Sequence, residues 1–248
     1  MSLRIDILTT FPEMFSPESP AALGLSIPSR ARAAGLVDWH ATDIRTFTTN
    51  KHRKTDDRPF GGGPGMVMMC QPIWDAVQGV EALDPRPATR ILLTPQGIPL
   101  SQSLVEQLSQ KPRLLMIAGH YEGIDERVIQ KLAPIEISLG DYVLSGGELA
   151  AMVLMDAVIR LLSGALGDEG SAIEDSFALD PQKGTPLEGK RLLDHPHYTK
   201  PREWEGLEVP EILLSGDHAK IAQWRLQQRL SRTQTRRPDL LDPGFPNA

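Results

Sequence analysis

Through residues 1–162, short apolar runs closed by proline or glycine alternate with longer stretches of helical periodicity. LRIDIL (3–8), ATRILLT (88–94), RLLMIAG (113–119) and PIEISLG (134–140) predict strands. PIWDAVQGV (72–80), SQSLVEQLSQ (101–110) and IDERVIQKL (124–132) predict helices between them. That order reads as βαβ units, hence an α/β fold with a mainly parallel sheet and helices on both faces. A last helix, GGELAAMVLMDAVIRLL (146–162), is apolar around most of its circumference. It must bury several sides, either as a central core helix or at a subunit interface.

The composition changes after Leu162. Residues 163–190 are rich in Gly, Ser, Asp and Pro, which marks a linker. Beyond it comes a short extended piece and then a helix, for which Asp217 is the expected N-cap and Ile221, Trp224 and Leu230 the expected apolar anchors. The expected layout is an α/β domain over 1–162, a flexible linker over 163–190 and a small helical domain over 191–248.

Composition narrows the class. The single Cys70 excludes an internal disulfide and any multi-cysteine zinc site, so a reducing compartment is expected. The N-terminus lacks a basic-then-apolar leader pattern, and the longest apolar run, residues 149–155, is too short to span a bilayer. A soluble, cytoplasmic protein with no membrane partner is the expectation. The net charge of −6 conceals basic clusters. Lys51, His52, Arg53 and Lys54 form one, and six basic residues without an acid run from Lys220 to Arg237. Local stripes of this kind matter more for phosphate contact than the global sum.

Three predicted strands end in loops with few side chains: TPQG (94–97), GHYEG (119–123) and LGDYVLSGG (139–147). Ligands of parallel α/β sheets bind beyond the carboxyl ends of strands, and glycine lets backbone groups approach closely. No GxGxxG follows the first strand and no GxxxxGK[ST] occurs, so the usual dinucleotide and triphosphate loops are not supported. FGGGPGM (60–66) fits either a mobile substrate loop or a plain turn.

Taken together, DDRPFGGGPGMVM, LTPQG, AGHYEGIDERV, LGDYVLSGGELAAMVLMDAVIRL, EDSF, HPHYTKP and WRLQQ…RT…RRPDLL resemble the bacterial tRNA (guanine-N1)-methyltransferase family, in order along nearly the whole chain. The resemblance implies a SPOUT fold, with a deep trefoil knot in the C-terminal part of the α/β domain. General topology rules would not have proposed a knot. It also implies S-adenosylmethionine as methyl donor, held in bent form by the three loops. By motif the contacts are Pro95 and Gly97 in the first loop, and Gly119, Tyr121 and Glu122 in the second. Leu139, Gly140, Asp141, Tyr142, Val143 and Leu144, with Gly146 and Gly147, form the third. The chain departs from the family pattern at His120 (usually Arg), Leu139 (usually Ile) and Ala150 (usually Pro).

The implied reaction methylates N1 of the guanine immediately 3′ of the anticodon. Losing the N1 proton calls for a base, and negative charge developing toward O6 calls for a cation. The resemblance assigns these roles to Asp175 of EDSF and to Arg160, with the site shared across a homodimer and Asp175 arriving from the partner. From the residues alone, Arg160 reads equally as an i,i+4 partner of Asp156, and Asp175 as a solvated linker acid. A linker aspartate reaches a rigid site only if residues near 163–176 become ordered when tRNA arrives.

Arg225, Arg229, Arg232 and Arg236 share one helical face, either a solvated stripe or a phosphate track. His195 and His197 of HPHYTKP have no cysteine or HExxH to complete a metal site, so a structural or RNA-contacting role is expected, with Asp194 a secondary acid. Magnesium enters only as a family expectation. Other readings are methylation of a different RNA position, or a catalytically silent tRNA-binding protein.

Overall fold

In the computed structural model the chain divides into two compact units, Met1–Gly167 and Asp168–Ala248. The described residues are 2–16, 22–167, 175–179 and 187–242; half of the predicted linker lies outside them.

The first unit is built on a five-stranded parallel sheet. Its strands are β1 (Leu3–Thr9), β2 (Val37–Asp43), β5 (Thr89–Pro99), β6 (Arg113–Ala118) and β7 (Ile135–Ser138), in the order β2-β1-β6-β5-β7. A two-strand antiparallel piece pairs β3 (Asp56–Asp57) with β4 (Val67–Met68). Helices α1 (Ser26–Ala33), α2 (Cys70–Glu81), α3 (Gln102–Ser109), α4 (Glu126–Leu132) and α5 (Glu148–Arg160) complete it.

Strand alternation sorts the core into two layers. Leu114 and Met116 of β6, with Ile91 and Leu93 of β5, pack among residues of α1, α3 and α5. Leu115 and Ile117, with Leu92, pack among residues of α2 and α4. The expected helices on both faces are therefore present. Helix α5 buries one face, with Ala151, Leu154, Met155, Val158 and Ile159 inside, while Leu149 and Val153 on the opposite face are each 50% exposed, so the expected burial on several sides is not reached within one chain.

Strand β2 and helix α1 were not legible in the sequence. β2 is an edge strand that buries Val37 and Trp39 but turns polar after Trp39. Trp39 Nε1 donates to the carbonyl of Phe15 at 2.9 Å. α1, SIPSRARA, has only Pro28 and Ala31 buried, too faint a stripe for periodicity to detect.

A buried ion pair ties the sheet to α2. Arg113 donates from Nε to Asp6 at 2.8 Å, and its terminal nitrogens donate to the carbonyls of Val80, Glu81 and Asp84. A cation fixed on the last carbonyls of a helix satisfies groups the helix leaves unpaired and opposes its dipole.

The second unit contains a hairpin, β8 (Glu203–Trp204) with β9 (Leu207–Glu208), and a long helix, α6 (His218–Arg236). Asp217 caps α6 as expected, accepting from the backbone N–H of Lys220 at 3.1 Å. Ile221, Trp224 and Leu230 are only half-buried, and the fully buried position in α6 is Thr233. The Thr233 hydroxyl donates to the Arg229 carbonyl and accepts from the N–H of Leu193.

Candidate functional site

The three loops converge. β5 interrupts its pairing with β7, so that Ile137 faces both Leu93 and Ile98. Residues 94–97 bulge out between those two contacts. The loops after β6 and β7 meet directly: Gly147 N–H donates to the Gly119 carbonyl at 2.8 Å, and His120 bridges to Gly146. Together they enclose a cavity of about 340 Å³ at the carboxyl end of the sheet.

Of the residues the sequence assigned to the cofactor, Pro95, Gly119, Tyr121, Glu122, Leu139, Tyr142, Val143, Leu144, Gly146 and Gly147 line this cavity. Gly97, Gly140 and Asp141 are not in its wall. Gly97 has another reason to be glycine: a Cβ there would lie 2.4 Å from the backbone of Glu136 and Ile137. Gly147 carries a similar constraint, with an added Cβ 2.8 Å from the Cα of Ala118. Both positions permit chain to pass against chain, a demand that exists without any ligand.

The cavity offers backbone donors and acceptors, two tyrosines about half exposed, and the carboxylates of Glu122 and Glu126. Tyr121 sits at φ +63°, in the left-handed region that a non-glycine residue rarely occupies. Burial and its hydrogen bond to Asp56 push the Tyr121 phenol up, so the group is neutral near pH 7.

Behind the wall lies a polar network that the sequence reading did not single out. Glu148, first residue of α5, is buried and accepts from the Thr9 hydroxyl at 2.7 Å. Its other oxygen lies 3.4 Å from Nδ1 of His120. A helix N-terminus favours a carboxylate, which compensates part of its burial. The available signal was an acid opening an otherwise apolar helix. His120 stacks obliquely on Phe11 with ring centres 5.0 Å apart.

FGGGPGM borders the same region. Glu122 N–H donates to the Met66 carbonyl at 3.0 Å and Met68 N–H to that of Gly123 at 2.9 Å. Gly61, Gly62 and Gly63 all adopt positive φ, and Phe60 is 98% exposed.

Arg160 is the last residue of α5, at the end away from the cavity. Twelve helical rises separate it from Glu148, roughly 18 Å. Asp175 belongs to the second unit. There Asp194 N–H donates to the Ser176 hydroxyl at 3.0 Å, and Phe177 N–H to the Leu192 carbonyl at 2.8 Å, so Ser176 and Phe177 are laced to residues 192–194. Of residues 163–176, which were expected to become ordered when tRNA arrives, 168–174 lie outside the described residues.

Asp194, His195 and His197 form a group of three side chains whose ligating atoms all lie within 4.8 Å of one another. Burial opposes ionisation of Asp194, but hydrogen bonds from His197 and from the His195 N–H hold its carboxyl below the usual range. Of the arginine stripe on α6, Arg225 and Arg236 are exposed while Arg229 and Arg232 are half-buried.

Residues 3–243 match the family described as tRNA (Guanine-1)-methyltransferase TrmD. A protein of Brevibacillus brevis named tRNA (guanine-N(1)-)-methyltransferase is 50% identical over 240 residues, covering 97% of this chain and 92% of its own length. Proteins of the same name from Chloroflexus aurantiacus and Moorella thermoacetica are each 51% identical, covering 96% of this chain and 88% and 90% of their own lengths.

Proposed function

The chain belongs to the tRNA (guanine-1)-methyltransferase family, and from that premise we propose that it methylates N1 of the guanine 3′ of the anticodon in tRNA. The observation that carries the reading is the cavity formed jointly by the loops after β5, β6 and β7. Its volume, its glycine-rich walls and its two tyrosines suit a nucleoside-sized ligand bound largely through main-chain groups. S-adenosylmethionine supplies the methyl group when bound there.

The chain's own residues do the rest. The Asp175 carboxylate accepts the N1 proton as the nitrogen acquires its new bond. The Arg160 guanidinium donates to O6, where negative charge accumulates, and its planar fork matches a purine edge. Arg160 stands roughly 15 Å along α5 from Ala150, the residue of that helix in the cavity wall. That separation supports a site shared across a homodimer, with Asp175 arriving from the partner subunit. Leu149 and Val153, four residues apart on α5 and each 50% exposed, supply an apolar stripe for the contact.

The trefoil knot is part of the same reading. Residues 139–147 leave β7 on the far side of β5 and return to the end of β6, where Gly147 meets Gly119. A chain crossing at that point is what a threaded loop requires. The layout of cofactor domain, linker and tRNA-binding domain, with the α6 arginines on phosphates, completes the proposal. So does a cytoplasmic location; among the described residues no helix is long and apolar enough to cross a membrane. Magnesium fits poorly with the one three-ligand group among the described residues, which offers a single carboxylate, so no step is assigned to that ion.

The test is a labelled methyl-transfer assay on unmodified tRNA followed by nucleoside analysis. Label in 1-methylguanosine 3′ of the anticodon is the expected result. Label at another atom, or none, overturns the assignment.

A further inference from the structure

We propose that Asp194, His195 and His197 bind a divalent transition-metal ion of the zinc class. Each of the three donors is prepared for that role by a different neighbour. His195 is buried, and its Nδ1 lies 3.1 Å from the carbonyl of Pro196. A carbonyl can only accept, so Nδ1 is the nitrogen that carries a proton, and Nε2 is the one turned to a ligand. That nitrogen faces Asp194, 3.8 Å from Oδ1. Fixing a histidine tautomer by a hydrogen bond from its other nitrogen to a carbonyl is the usual outer support of a metal-bound imidazole.

The second donor pair is already closed. His197 Nε2 lies 2.8 Å from Asp194 Oδ2, an N–H donating to a carboxylate. An ion placed there takes over from that proton, with the lone pair of Nε2 and the Asp194 oxygen both turned toward it.

Distances are compatible with capture. Tetrahedral zinc with ligands at about 2.0–2.2 Å needs donors about 3.3 Å apart. With all three donors within 4.8 Å, the widest gap closes by at most about 1.5 Å. His197, whose side chain is 71% exposed, is free to make that movement. Two imidazoles and one carboxylate select zinc, cobalt or nickel over magnesium, and leave a position for water or a phosphate oxygen. Because Asp194 is joined through its N–H to Ser176, the ion would also brace the segment that begins at Asp175.

The experiment uses the full chain, stripped with chelator and titrated with Zn2+ by calorimetry and with Co2+ by visible absorption. One equivalent of each is expected, unaffected by a large excess of Mg2+. His197→Ala and Asp194→Asn should each weaken uptake at least about tenfold. His40→Gln, which alters a separate histidine–aspartate pair with Asp38, should leave it unchanged. His197 is exposed, so its variant tests the site without disturbing a core. Absence of stoichiometric uptake, uptake indifferent to both variants, or displacement by Mg2+ overturns the proposal.

Discussion

Gly147 donates its N–H to the carbonyl of Gly119, and the two backbones run so close that a Cβ on Gly147 would stand 2.8 Å from Ala118 and 3.0 Å from the Gly119 nitrogen. Neither neighbour is a side chain that can rotate away. Gly147→Ala should therefore force the third loop off the second and cost about 1–3 kcal/mol or more of stability. Donor titration by calorimetry should show S-adenosylmethionine binding lost or greatly weakened. Wild-type affinity would mean that the crossing does not shape the cavity.

Arg113→Leu leaves the Asp6 carboxylate buried with one of its two arginine partners gone and takes the guanidinium donors from the carbonyls of Val80, Glu81 and Asp84. Removing one member of a buried pair costs about 3–5 kcal/mol. Urea denaturation should show a loss of that size with an unchanged m-value. A loss below about 1 kcal/mol would remove the pair from the fold's supports.

Asp175→Ala should lower single-turnover methyl transfer by about 10²–10⁴-fold. Cofactor binding should stay near wild type, because Asp175 lies outside the first unit that holds the cavity. Undiminished turnover would exclude this carboxylate as the base.

Val153→Asp places a charge on the exposed apolar face of α5 while leaving the buried residues of the helix in place. Analytical ultracentrifugation should find the wild-type chain dimeric and the variant monomeric. A variant that remains dimeric would move the subunit contact elsewhere.

Replacing Arg225 and Arg236, the exposed pair of the α6 stripe, with glutamine should lower tRNA affinity. It should also flatten the dependence of log K on log salt by about one unit per residue. An unchanged slope would leave the stripe merely solvated.

The strands around LRIDIL, ILLT, LLMIA and IEIS, and the helices between them, were readable because each is a local pattern bounded by proline or glycine. Strand β2 was not, since an edge position needs only Val37 and Trp39 inside. The loop residues showed the same division. Their glycines were visible in the sequence, and most of them do line one cavity. Gly97, however, answers to the backbone of Glu136 and Ile137, forty residues away in the chain. Glu148 drew no notice because its partner Thr9 lies 139 residues distant.

By itself, then, the order of residues determined the α/β class, the carboxyl-end loops and the ordered motifs that mark the family. Those features repeat over a few residues, at the period of a helix or a strand, and survive without knowledge of what lies opposite. Only the tertiary structure decided which glycines admit another stretch of backbone, which acid meets Thr9 and His120, and that the side chains of Asp194, His195 and His197 come together. Such meetings depend on distances closed by the whole packed fold, and no local periodicity carries them.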